Sequence, residues 1–341
     1  MDMRSAIGKR LAVIFFTTLL VVLSAGCARD EAGLVIYTER NEPLIRPIFE
    51  RYTEETGVPI TFVTDKAEVL MQRLDAEGAN TPTDILMTVD AGNLWFAARS
   101  DLLAAVDSRV LAANIPAHLR DPGNRWFGMS VRARTIVYNT DKVDPADLEG
   151  YVELGNERWH GRLCLRTSKK VYNQSLVAML IAAYGEARTE EIVAAWIENL
   201  AADVFANDTQ VLRAVAVGQC DVGIVNSYYL GRLLKEEPAL PLRLFWPPAE
   251  TGGVHVNVSG VGVTRYADHY DEAVHFLEWL SSGEAQQMFA SLNLEFPANP
   301  NIAADPLVAG WGEFSPSQLN LARAGELQAD AVRLMDRVGY H

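Results

Sequence analysis

The sequence predicts an α/β fold of two lobes, joined by hinge strands and separated by a cleft. Three observations carry that expectation. Strand-like and helix-like segments alternate from Leu34 onward, the alternation restarts in a second unit, and two long uninterrupted β-type stretches lie where the halves must be connected.

"LVIYT", Leu34 to Thr38, opens the first unit as a strand. Leu44, Ile48 and Tyr52 then recur at four-residue spacing, a helical face, and "VPITFVT" returns to a strand. A helix over Val69 to Glu77 leads to the strand "DILMTV", Asp84 to Val89. "FGMSVRARTIVYN", Phe127 to Asn139, is β-type without a break and reads as the first crossing between lobes. The second unit follows with the strand "RLCLR", a helical region from Ser175 to Leu200, a helix from Asp208 to Val217 and the strand "VGIVNS". "GVHVNVSGVGVT", Gly253 to Thr264, is the second crossing, and Pro316 to Val338 reads as one or two helices on the surface of a lobe. The expected division places residues 33–131 with 258–300 in lobe 1 and 132–257 with 301–341 in lobe 2. Two lobes on two extended crossings form a hinged pair with a ligand cleft between them. A single large α/β domain is the alternative.

Residues 1–26 stand apart. Arg4, Lys9 and Arg10 precede the apolar run Leu11 to Leu23, and the small residues Ser24, Ala25 and Gly26 lead to Cys27, the layout of an export signal. "LSAG" before Cys27 resembles the lipobox of bacterial lipoproteins, although Leu23 sits one place further from the cysteine than that pattern has it, so Cys27 is the expected lipidation site. The chain is thus expected to be exported, periplasmic and tethered to a membrane by its first mature residue. Export also makes Cys164 and Cys220 candidates for a disulfide. The formal net charge of −14 becomes about −16 without the leader, a surface that argues against a nucleic-acid partner.

Several chemistries leave no local trace. There is no P-loop, no G-x-G-x-x-G, no G-x-S-x-G, no H-E-x-x-H and no paired C-x-x-C, and the six histidines never fall at zinc-site spacing. His255 on the second crossing reads as a structural residue, and Asp90 in "TVDAGN" as the cap of the next helix.

The chemistry is carried by tyrosine. Tyr228 and Tyr229 in "VNSYYLGR" fall where a strand gives way to a helix, and side chains at such a turn converge on the carboxyl end of the sheet, where open α/β folds bind ligands. Tyr172 in "SKKVYNQS" occupies a similar place after the strand "RLCLRTS". Phenols titrate near pH 10 and are neutral at pH 7 unless a cation favours the anion. A trivalent metal would do so, because hard oxygen donors match a hard ion. Taken alone, a tyrosine pair is more often core filling.

"ILMTVDAGNLW", "RARTIVYNTDKV", "KKVYNQSLVA", "DVGIVNSYYLGRL" and "HVNVSGVGV", in this order, resemble the ferric-iron-binding proteins of bacterial ABC transporters, from Leu34 to about Pro300. The resemblance implies a type II periplasmic-binding-protein fold that closes two lobes over Fe(III). By motif it implies Tyr172, Tyr228 and Tyr229 as metal ligands, and a permease with its ATPase as partners of a monomer. Relatives commonly place histidine, or histidine then tyrosine, in the loop after the first strand, where this chain reads "YTERNEP" with Asn41 and Glu42 in those places.

Three phenolates cancel the charge of Fe(III), so a further carboxylate overshoots by one and calls for nearby cations. Glu42 is the expected first-lobe ligand, ahead of Glu39, and equally suits the first turn of the following helix. Arg132, Arg134 and Arg232 are placed to balance the charge, Arg40 matches an arginine of relatives, and Arg132 or Arg134 could hold a synergistic anion such as carbonate. The expected function is capture of Fe(III) for an ABC importer, without catalysis. The same fold binding another small anionic or organic solute is the alternative, and a secreted enzyme a more distant one.

Overall fold

The computed structural model describes residues 33–341, so the leader and Cys27 lie outside the described residues. Strand β1 (Leu34–Thr38) is followed by α1 (Glu42–Thr56), β2 (Ile60–Thr64), α2 (Ala67–Glu77), β3 (Ile85–Thr88), α3 (Ala91–Arg99) and α4 (Arg109–Asn114). The long strand β4 (Phe127–Asn139) leads to β5 (Leu163–Cys164), α5 (Val171–Tyr184), α6 (Glu186–Glu198), α7 (Asp208–Ala216), β6 (Val222–Asn226), α8 (Ser227–Glu236) and β7 (Leu242–Phe245). Strand β8 (His255–Val263) then opens the return, through α9 (Tyr270–Leu280), α10 (Gly283–Asn293), β9 (Phe296–Pro297), α11 (Pro306–Ala309), α12 (Ala322–Glu326) and α13 (Gln328–Arg337).

Local chemistry sets these boundaries. Helix α1 buries Ile45, Ile48, Phe49 and Tyr52 on one face, starts beside Pro43 and stops at Gly57 with a left-handed φ of 76°. Asp90 caps α3 by accepting from the Asn93 amide at 3.1 Å. The expected helix over Ser175 to Leu200 is two helices, broken at Gly185, whose φ of 82° no continuing helix tolerates. The first of them starts earlier, at Val171, so Tyr172 lies inside its first turn.

The strands form one sheet in the order β2-β1-β3-β8-β4-β6-β5, with β7 and β9 also paired to β4. β1, β2 and β3 are mutually parallel, as are β5 and β6, while β8 and β4 run antiparallel to their neighbours between the two parallel sets. β4 is shared between the halves. From Phe127 to Arg134 it pairs with β8, and from Arg134 to Tyr138 it pairs with β6. Every residue of β4 and β8 is buried, which explains why both read as unbroken β-type runs rather than alternating ones.

Each half has its own core. Leu34, Ile36, Ile45, Phe276 and Phe289 pack together in the first, and Trp159, Trp196, Leu176 and Ile224 in the second. The tail does not simply lie on one lobe. Helix α12 packs against both α3 and α5, and a Cβ on Gly325 would come within 2.6 Å of Trp95, so only glycine permits that approach. No described helix is long and apolar enough to cross a membrane.

Cys164 and Cys220 form a disulfide that ties β5 to the residue pair preceding β6, closing a sequence separation of 56. Loop closure of that size contributes about 2–4 kcal/mol. The double variant Cys164→Ser, Cys220→Ser is expected to lose about that much stability, read as a lower urea midpoint with a steeper slope, because the unlinked unfolded chain exposes more surface.

Candidate functional site

β6 ends at Asn226, and Tyr228 and Tyr229 occupy the first turn of α8. Their rings lie side by side, with centroids 4.5 Å apart and planes 30° from parallel. The neighbouring segment fixes α8 closely. A Cβ on Gly231 would come within 2.8 Å of Leu294 and Trp311, and Tyr228, Leu294 and Val308 share a small apolar cluster with Tyr229, Phe296 and Trp311.

Tyr172 joins this pair from the start of α5. Burial first, then charge on the adjoining Tyr172 and Tyr229, holds the Tyr228 phenol well above its ordinary pKa, with Arg132 pulling the other way. Tyr172 and Tyr229 therefore share one electrostatic site with Tyr228, and charge on either makes the Tyr228 phenol harder to ionise. A multiply charged cation would reverse that order.

Cations surround the rings. The guanidinium carbons of Arg132 and Arg166 and the Lys170 ammonium each lie 5.3 Å from the Tyr172 ring centre, and Arg232 lies 4.9 Å from that of Tyr228. Burial works against the charge of Arg132, but Tyr172, Tyr228, Glu295 and Asp90 outweigh it and hold its pKa above the ordinary value. Arg132 donates from Nη2 to the Val258 carbonyl at 2.9 Å, while its Nε is buried without a partner. Arg166 sits 3.6 Å from Asp208, beyond hydrogen-bonding distance, and its Nε and Nη1 also lack partners. The second-lobe expectation had not included Arg166 or Lys170. Both precede Tyr172 within six residues of sequence, a proximity that marks them as cations near the phenols where the crossing strand did not.

Arg134 behaves differently from the expected anion holder. It is buried and donates to Asn173 at 2.6 and 3.0 Å, to Asp208 at 3.2 Å, to Asn226 at 3.1 Å and to the Ile224 carbonyl at 3.2 Å. It is satisfied within the protein and positions other groups: Asn226 in turn donates to the Tyr228 hydroxyl at 3.3 Å, and Asn173 directly follows Tyr172. Arg40 is likewise engaged, as a two-pronged pair with Glu295 at 3.2 and 3.3 Å that also takes the Ser130 hydroxyl.

Glu42 is half-exposed in the first turn of α1 and pairs with Arg46 one turn on. That is the helix-start role, and no contact among the described residues joins it to the phenols. Glu42 is the first residue of α1 and is followed by Pro43, a residue that favours helix starts. Glu39 instead lies mostly buried at the end of β1, accepting from the Val89 amide at 3.1 Å. His255 bonds Ser175 through Nε2 at 3.2 Å, and burial, aided by Arg134 and Arg132, pushes its pKa down to about 3, so it is neutral.

Removing the hub tests its assignment. Arg134→Ala leaves Asp208 buried with a weaker partner and is expected to destabilise the protein by about 3–5 kcal/mol, read in urea unfolding of the ligand-free protein. Unchanged stability would return Arg134 to the list of anion-binding groups.

Comparison with known proteins agrees with the five motifs. The family model described as bacterial extracellular solute-binding protein matches residues 48–316. Iron uptake protein A1 of Synechocystis sp. is 39% identical over 317 residues, covering 91% of this chain and 88% of that protein. The structure of a Trichodesmium protein (IdiA, FutA) with iron and citrate superposes with a TM-score of 0.87 at 38% identity, covering 91% of this chain and all of that one, 100%. Ferric iron-binding protein A of Mannheimia haemolytica in an open conformation gives 0.84 at 32% identity, over 90% of this chain and 98% of that one. The architecture is the two-lobed periplasmic-binding-protein fold. The chain belongs to the bacterial extracellular solute-binding proteins.

Proposed function

We propose that this protein captures Fe(III) in the cleft between its lobes, through phenolates of Tyr172, Tyr228 and Tyr229, and delivers it to an ABC importer. The observation that carries the proposal is the convergence of three phenols from two helix starts on one patch ringed by cations. Phenols that oppose one another's ionisation favour an occupant that supplies several positive charges at once. Three phenolates match the charge of Fe(III), and the ion displaces their protons as it binds. The names of the relatives support the same cargo: iron uptake in Synechocystis, and iron with citrate in the Trichodesmium structure.

The lobes that close on the ion are residues 33–131 with 258–300 and residues 132–257 with 301–341, and β4 and β8 connect them. The unpartnered edges of Arg132 and Arg166 suit a small anion such as carbonate or a carboxylate, bound with the metal. The protein works as an exported monomer, tethered through Cys27, that hands its cargo to a permease coupled to an ATPase and catalyses no reaction. One observation favours a second reading. Four cations about two rings would also suit a small anionic solute bound without metal.

A visible spectrum separates the two. Adding ferric citrate to the purified protein is expected to produce the red to orange band of tyrosinate-to-iron charge transfer, and Tyr228→Phe with Tyr229→Phe to abolish it. A wild-type protein that stays colourless would favour the anionic solute.

A further inference from the structure

We infer that Glu39, from the end of β1, is the first-lobe carboxylate that coordinates the captured ion. The inference rests on the phenolate reading of the second lobe.

Glu39 stands at the carboxyl end of a parallel strand, and its amide extends the pairing to β3 by donating to the Met87 carbonyl at 2.9 Å. Its Oε2 accepts from the Val89 amide at 3.1 Å and from Asn93 Nδ2 at 3.5 Å, which anchors the carboxylate to the loop that starts α3. No hydrogen bond from the described residues reaches Oε1. One oxygen is thus held and the other is available, the arrangement of a preorganised monodentate ligand.

The strands place Glu39: Val89, which holds its carboxylate, directly precedes Asp90, Asp90 accepts from Asn257 at 2.6 Å, and Asn257 pairs in register with Arg132. Burial and Asp90 raise its pKa, while Lys170 and Arg132 lower it. Those two are among the three cations stacked on the Tyr172 ring, so Glu39 and the phenols share a pair of counter-charges. The other carboxylates near Arg132 are occupied. Asp90 accepts from the Asn93 amide through one oxygen and from Asn257 at 2.6 Å through the other, and Glu295 takes Arg40 and Ser130.

A fourth anionic oxygen gives the ion and its ligands a net charge of −1, which Lys170 and Arg132 offset. It also gives closure a chemical contact, since a ligand from β1 joins the first lobe to an ion held by the second.

The test uses ferric citrate and the whole mature protein. Glu39→Gln keeps the shape and removes the charge; it is expected to weaken ferric binding, measured by competition with citrate, by about tenfold or more. The visible band should persist but move to longer wavelength, because an iron that loses a carboxylate donor draws charge from tyrosinate more easily. Glu39→Asp, which keeps the charge, should recover part of the affinity, and Glu42→Gln should stay within about twofold of wild type. Urea unfolding of the iron-free variants checks that they fold. Glu39→Gln with wild-type affinity and an unmoved band overturns the inference while leaving the phenolates in place. A colourless wild-type protein overturns the phenolate reading instead.

Discussion

The site depends on one buried ion pair. Arg134 stands where β4 leaves β8 and takes up β6, and from there its guanidinium reaches Asp208 at the start of α7, Asn173 in α5 and Asn226 at the end of β6. A buried arginine is costly to desolvate, and Arg134 offsets that cost by pairing its donors. Here the partners lie beside Tyr172 and before Tyr228, so satisfying one cation fixes the two turns that carry the phenols. Asn226 makes the link explicit by bonding both the arginine and the Tyr228 hydroxyl.

Around that frame the charges are arranged in layers. Arg134 and Arg40 are neutralised by Asp208 and Glu295. Arg132 and Arg166 are buried with donors left over, and Lys170 and Arg232 lie against the rings. The same residue type is therefore a paired counter-ion at one position and keeps free donors beside the phenols at the next. Which role it takes is decided by whether a carboxylate or amide lies within reach.

That distinction explains how much the sequence could disclose. The alternation of elements, the two crossings and the tyrosine turns were legible, because they depend on local pattern and on residues adjacent in the chain. The early start of α5 was not, because Val171 and Tyr172 carry no capping signal and the helix is extended by contacts of Asn173 with Arg166 and Thr167. The role of Arg134 was hidden for the same reason: Asp208 is 74 residues away. The expectation for Glu42 followed loop alignment and met a helix-start residue. Glu39, three residues earlier, is anchored by a partner 50 residues distant that no local pattern reveals.

The disulfide has a further consequence. Cys164 is the last residue of β5 and Cys220 lies two residues before β6, and these adjacent parallel strands lead on to Tyr172 and to the Tyr228 and Tyr229 pair. Sulfur atoms couple in this way only in oxidising surroundings. Stitching the two strands is therefore a maturation step: a chain kept in a reducing compartment holds its phenols on a looser frame, and rigidity arrives with the change of redox milieu.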